Sequence, residues 1–318
     1  MTGHRMAAVD AQFYWMSAKI PNDEFLLYAF DGEPADYPAA ADQLRRRADA
    51  EPALSIRVPA AVAPEQVVRH ELAEHSWDGC LAAVAGLADD QLDLRRMAWR
   101  LHVFGPVHGI PGVRGPGTPC RAAGPRGRAA SAAADERSVR SLRTLVRHRA
   151  QLPGPTATVA VLGAVAQALS DLAGDQADSL GAEVPMAKPG APQAYNHFGN
   201  VVVDLHPRLG AQARAERIAA GLAAAALLRW GVDQFDADQR PDQVAGNTVV
   251  SSVNRGPADL SFGGARVVLT AGYPALSPVM GLTHGVHGIG DTIAISVHAA
   301  ASAVPDVDAY LALLDAAL

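Results

Sequence analysis

Alternation of apolar and polar side chains marks two segments most clearly. Trp99, Leu101 and Val103 alternate with Arg100 and His102, and Ile293, Ile295 and Val297 alternate with Ala294, Ser296 and His298. A period of two is the mark of a β-strand. Residues 25–30 read as a further strand closed by the turn Asp31-Gly32, and short β-branched or apolar runs at 54–58, 201–205, 248–253 and 265–270 read the same way. Helical spacing appears elsewhere. Residues 38–50 form an Ala/Leu/Arg segment with Pro38 in its first turn. Leu81, Val84 and Leu87 follow Asp78, read as their N-cap. Thr156 or Thr158 can cap a helix reaching Leu172, which Gly174 can end. Residues 211–230 carry Ile218, Leu222 and Leu227 on one side, and a closing helix starts near Pro305 and runs through Tyr310 and Leu314. Strands and helices alternate in both halves, which predicts an α/β or mixed α+β fold.

One stretch breaks the pattern. From Arg114 through Ser138 there is no Val, Ile, Leu, Met, Phe, Trp or Tyr. Such a segment buries too little surface to offset its ordering entropy, so disorder or a loose loop is expected over 112–138. Its Arg/Ala/Gly/Pro/Ser composition also resembles a GC-rich gene read out of frame. Resequencing the codons for that stretch tests this hypothesis, which fails if no single inserted or deleted base restores an ordinary coding pattern.

Composition narrows the class. The hydrophobic fraction of 49% and charged fraction of 19% over 318 residues fit a globular protein, though much of the apolar share is alanine. Net charge is −6 and no basic tract lies on one face, which argues against nucleic acid as a partner. Two cysteines, Cys80 and Cys120, imply neither a disulfide framework nor a structural zinc site and fit a reducing cytosol. Acidic and polar residues at Asp10, Gln12, Lys19 and Asp23 interrupt the start as a signal peptide would not be, just before and after the aromatic cluster Phe13, Tyr14, Trp15 and Met16. The uncharged run 150–170 is broken by Pro153 and Pro155, leaving a helix too short to span a bilayer. A cytoplasmic protein, at most peripheral to a membrane, is expected.

Several segments, in order, resemble the bacterial wax ester synthase/diacylglycerol acyltransferase family. Val9-Asp10-Ala11-Gln12-Phe13 resembles its S-x-x-D-A-x-F signature. RRMAWRLHVF, 95–104, resembles the segment before its active site, with Met97-Ala98-Trp99 where Pro-Leu-Trp is common. Val184-Pro185-Met186-Ala187-Lys188-Pro189, then Gly199-Asn200, resembles its V-P-V-S-x-R element. VSSVNRGPADLSFGGARVV, 250–268, resembles the S-N-V-x-G-P…L-x-x-G-A-x-V block, followed by Tyr273-Pro274 and GLTHGVHGIGDTIAISVHA. The resemblance implies a chloramphenicol-acetyltransferase-like fold of two mixed-sheet subdomains, here 1–140 (truncated, with the irregular segment 112–138) and 141–318, with a channel between them. It implies acyl transfer from acyl-CoA, a co-substrate rather than a cofactor, to a long-chain alcohol or diacylglycerol, giving wax esters or triacylglycerol. Peripheral contact with a membrane or lipid droplet would accompany such substrates.

The family's H-H-x-x-x-D-G motif, whose second histidine deprotonates the acceptor hydroxyl, is missing. His75-Ser76-Trp77-Asp78-Gly79 is one residue too short and precedes the RRMAWRLHVF strand instead of following it. The strand expected to begin near Gly117-Thr118, the motif and the next helix are expected to be absent, so no catalytic residue is assigned and transfer is expected to be impaired. A non-catalytic lipid- or CoA-binding remnant and a frameshifted product are the alternatives. Thr158-Val159 replaces the Asn-Asp common at the start of its helix, and Arg255 is inserted in the S-x-N-R-G-P block.

By family analogy Trp99, Asn200, Ser251, Ser252 and Asn254 could line the channel. Trp99 reads rather as core, and the others equally as residues satisfying backbone at strand ends. His284 and His287, with His298, could suggest a metal pair, but no ligand set completes it, so no metal is assigned. The glycines around them read as a turn before the strand at Ile293. Arg45-Arg46-Arg47 reads as a solvated helix face, with a CoA phosphate contact as the sharper option.

Overall fold

The computed structural model describes residues 24–51, 66–88, 90–92, 97, 99–111, 118–125, 139–174, 179–188, 190, 197–227, 246–277 and 280–318, with Ala7 and Asp10. The aromatic cluster at 13–16, the expected strand at 54–58, residues 112–117 and 126–138, and 228–230 lie outside the described residues.

Twelve strands among the described residues form two six-stranded mixed sheets, flanked by five α-helices. Sheet 1 has the order β2 (Val67–His70), β3 (Trp99–Val107), β4 (Thr118–Pro125), β1 (Phe25–Phe30), β10 (Ala265–Tyr273), β9 (Ser261–Phe262). Sheet 2 runs β5 (Arg140–His148), β12 (Thr292–Ala300), β11 (Leu282–Ile289), β8 (Thr248–Asn254), β6 (Gly181–Ala187), β7 (Phe198–Asp204). The mixed α/β class therefore holds. β9 and β10 come from the C-terminal half yet complete the N-terminal sheet, tying the halves together.

Helix α1 (Tyr37–Ala50) begins at the Asp36 cap, whose carboxylate accepts from the Ala39 N–H at 3.0 Å, with Pro38 in the first turn, where its missing N–H has no cost. Its Ala48 covers Trp99, Leu101 and Val103. Arg45 pairs with Asp42 at 2.6 Å on its outer face, as a solvated run would. Helix α2 (Trp77–Leu87) lies on the other face of sheet 1 and against β5. Its Trp77, Leu81 and Val84 pack with Leu27, Phe104, Leu269 and Tyr273. The cap is Ser76, accepting from the Gly79 N–H at 3.0 Å, and Asp78 sits in the first turn. Asp78 was the expected cap. Both residue types serve, and the turn simply starts two residues earlier.

Helix α3 (Ala157–Ala173) is capped by Thr156 and ends at Gly174 with φ 58°. Val159, Val161, Leu162, Val165 and Leu169 are buried, so it is apolar nearly all round. It packs against α4 (Ala211–Leu227), α5 (Val307–Ala316) and sheet 2. No helix among the described residues is long and apolar enough to cross a membrane.

Two expectations are corrected. Thr118–Pro125, expected to be loose or absent, is a strand hydrogen-bonded to β3 on one side and β1 on the other. An interior strand is held by ladder bonds from both neighbours, so it can form without the β-branched and aromatic residues that signal strands in sequence. GLTHGVHGIG, read as a loop with a turn, is strand β11 running into the hairpin at Gly290-Asp291. All eight of its residues are buried, and fully buried strands lose the polar alternation that would reveal them.

Candidate active site at the crossing of the two sheets

The sheets meet where β10 passes over β11 and β12. A Cβ at Gly285 would strike the Gly272 carbonyl oxygen, and a Cβ at Gly272 would strike the His287 imidazole. Only glycine permits this approach. Just beyond, the Pro274 carbonyl accepts from Thr283 Oγ1 at 2.8 Å and from His298 Nδ1 at 2.9 Å, pinning the end of β10 to sheet 2. The Tyr273 hydroxyl bonds Thr144 of β5.

Register sets which side chains face this crossing. Thr283, Gly285 and His287 pair with His298, Ser296 and Ala294 on one side and with Val249, Ser251 and Val253 on the other. Paired residues share a face, so Ser251, His287, Ser296 and His298 all belong to the face turned toward sheet 1. His298 Nδ1 faces a carbonyl and must donate, which leaves Nε2 an acceptor. That Nε2, His287 Nδ1, Ser296 Oγ and Thr270 Oγ1 are buried polar atoms with no hydrogen-bond partner in the protein. Each such atom costs about 1–3 kcal/mol while unpaired, so a polar group placed at the crossing would find donors and acceptors there.

His287 is the imidazole at the crossing whose ring makes no hydrogen bond within the protein, but its environment weakens it as a base. Burial, then the Arg255 charge, lowers its pKa to about 4. Burial likewise lowers His298 to about 4. A base that resists protonation this strongly is poorly matched to removing a proton from an alcohol near neutral pH. A neutral imidazole can still accept or donate a hydrogen bond to a neutral hydroxyl.

His284 lies three residues from His287 and faces the opposite side. Tyr310 and Thr248 hold its Nε2 and Nδ1 at 2.8 and 2.9 Å. Thr248 Oγ1 donates to the Leu282 carbonyl at 2.9 Å, so it accepts from Nδ1, and Tyr310 donates to Nε2. His284 and His287 therefore do not form a metal pair, and no group of three metal-binding side chains occurs among the described residues.

The residues expected to line a channel do not converge. Ser251 faces the crossing, whereas Ser252, on the opposite face, accepts from Thr158 Oγ1 at 2.8 Å at the start of α3. Asn254 accepts from the Gly256 N–H at 3.0 Å, at the end of β8. Asn200 lies on edge strand β7 and donates to Glu183 at 3.1 Å. Trp99 packs with Ala48, Leu101 and Val103 beneath α1, its carbonyl accepting from Gln66 at 3.1 Å. His75 is exposed, its Nδ1 2.9 Å from the Pro106 carbonyl. Sequence reading passed over Ser296, Thr270 and the functional face of His287. The signal was there in the alternation after Ile293, which puts Ser296 and His298 on one face of the strand.

β4 carries the remaining observation. It ends at Pro125, between β3 and β1, and residues 109–147 of the chain contain no histidine.

The sequence matches no family model and no curated protein. Its fold does match solved structures. The wax ester synthase/diacylglycerol acyltransferase from Marinobacter aquaeolei VT8 superposes with a TM-score of 0.69 at 15% identity, covering 99% of this chain and 98% of that one. The starter condensation domain of rhizomide synthetase RzmA, as a double mutant with C8-CoA and Leu-SNAC, gives 0.64 at 13% identity over 98% of this chain and 91% of that one. The same domain with C8-CoA gives 0.58 at 14% identity, covering 98% and 94%. Two mixed sheets crossing at Gly272 and Gly285 thus give this chain the fold shared by the Marinobacter acyltransferase and the condensation domain.

Proposed function

We propose that this chain descends from an acyl-CoA-dependent O-acyltransferase of the wax ester synthase/diacylglycerol acyltransferase type, and that its transfer step is impaired or lost. The observation that carries this is the end of β4. The resemblance puts the catalytic histidine just after this strand, and here Pro125 leads into Arg126 with no histidine before His148. His287 at the crossing is a poor substitute because it stays neutral down to about pH 4. Acyl-CoA is the expected ligand, since relatives in fold are described with C8-CoA. A long-chain alcohol or diacylglycerol is the expected acceptor, met in contact with a membrane or lipid droplet. The division into subdomains 1–140 and 141–318, and Ser251 as a lining residue, belong to the same reading.

Incubation with labelled palmitoyl-CoA and diacylglycerol or hexadecanol, resolved by thin-layer chromatography, tests it together with calorimetric titration of palmitoyl-CoA. Binding with little or no ester supports the reading. Ester formation matching an intact relative overturns the loss of catalysis, and absence of binding overturns the acyl-CoA assignment.

A further inference from the structure

Arg255 interrupts a block that otherwise follows the family pattern, and strand register puts it at the crossing. Its N–H donates to the Gly288 carbonyl at 2.8 Å, continuing the β8–β11 ladder one residue past Asn254. Alternation then places Arg255 on the face that carries Ser251 and Val253, the face turned toward sheet 1. Val253 pairs with His287, so the arginine stands about 6.6 Å further along the strand on the same side. Its side chain is exposed and, among the described residues, has no carboxylate partner. Its charge is felt by His287.

His287 is 5% exposed, its ring fills the space that a side chain at Gly272 would take, and its Nδ1 has no partner in the protein. Half-buried apolar side chains stand on both sides of it. Val253 lies beside it on sheet 2, and Leu26, which pairs with Gly272, lies on sheet 1. The place therefore offers one fixed positive charge, one neutral imidazole able to donate an N–H, and an apolar border. One guanidinium balances one negative charge. A phosphate dianion would keep an excess charge beside Leu26 and Val253, and a neutral alcohol would leave the guanidinium unused.

We infer that Arg255 and His287 hold the carboxylate of a long-chain fatty acid at the crossing, its chain lying between Leu26 and Val253. A carboxylate only accepts hydrogen bonds, and the guanidinium presents its N–H groups in a planar fork that matches two carboxylate oxygens. No bond is made or broken. This goes beyond the acyl-CoA reading, because the ligand has no thioester and is held through a residue that interrupts the family block. The two share only the crossing, and each can fail without the other.

The test is calorimetric titration of the full chain with decanoate, 1-decanol, inorganic phosphate and palmitoyl-CoA, for the wild type, Arg255→Gln, Arg255→Lys and His287→Phe. NMR follows the His287 ring, and thermal melts check that the variants fold. Decanoate should bind the wild type more tightly than 1-decanol. Arg255→Gln should weaken decanoate roughly tenfold and leave 1-decanol unchanged. Arg255→Lys keeps the charge without the fork and should fall between. His287→Phe, which keeps a ring over Gly272, should weaken decanoate severalfold. In the free protein Arg255→Gln should move the His287 titration midpoint upward, because the charge that opposes its protonation is gone. A midpoint unmoved by that substitution overturns the placing of Arg255 at the crossing, and with it the site. Decanoate binding by Arg255→Gln as tight as by wild type also overturns it, as does inorganic phosphate binding as tightly as decanoate. A wild type that binds palmitoyl-CoA but not decanoate overturns the site and leaves the acyl-CoA reading standing. One that binds decanoate through Arg255 but not palmitoyl-CoA supports the site and overturns that reading.

Discussion

Gly285 of β11 lies so close under Gly272 of β10 that its missing side chain is what lets the two sheets touch. Everything polar at the crossing depends on that contact, because it sets His287 against β10 and brings His298 and Thr283 to the Pro274 carbonyl.

Gly285→Ala should therefore push the sheets apart. The methyl meets a backbone carbonyl, which cannot swing aside as a side chain can, so the cost should be at least about 1–3 kcal/mol. Gly163→Ala, inside α3 with nothing within 4 Å of the added carbon, should instead stabilise by roughly 0.5–1 kcal/mol. Urea unfolding of both variants checks this. Equal effects of the same sign would show that the crossing is not tightly packed.

Tyr310→Phe removes the donor to His284 Nε2 without changing the packing volume much. It leaves a buried acceptor unpaired between Thr248 and sheet 2, at a cost of about 1–3 kcal/mol. A Tyr310→Phe melt within error of wild type would contradict this buried hydrogen bond.

Acid should destabilise the fold well before the carboxylates titrate. His102, His284, His287 and His298 each have a pKa near 4, lowered chiefly by burial from the usual 6.5. Between those values the unfolded chain binds more protons than the folded one. Stability is therefore full above about pH 6.5, falls as pH drops toward 4, and levels off below. The slope is about 1.4 kcal/mol per pH unit for each histidine. Thermal melting at pH 7.5 and 5.0 should give a cooperative transition at both, with a clearly lower Tm at 5.0. An unchanged or higher Tm at pH 5.0 would contradict it.

Much of the fold was legible from period alone. The strands at Phe25–Phe30 and Thr292–Ala300 and the helices capped by Asp36 and Thr156 announce themselves through alternation, turn residues and caps. β4 and β11 did not. β4 owes its existence to neighbours on both sides, a non-local fact, and β11 is buried on both faces and rich in glycine. The site was harder still. Ser251 and Ser252 are adjacent in sequence and face opposite ways, a division that only the strand pairing reveals. The pairing of Gly272 with Gly285 joins residues on different sheets, and composition gives no hint of which glycine meets which.

The proposed function rests on there being no group among the described residues placed to deprotonate an acceptor alcohol effectively. A single-turnover experiment tests it most directly, with protein in excess over labelled palmitoyl-CoA and saturating hexadecanol, followed by the appearance of wax ester. The account predicts ester formation no faster than the protein-free reaction. Burst formation of one equivalent of ester at a rate like that of an acyltransferase with its histidine motif intact would contradict it.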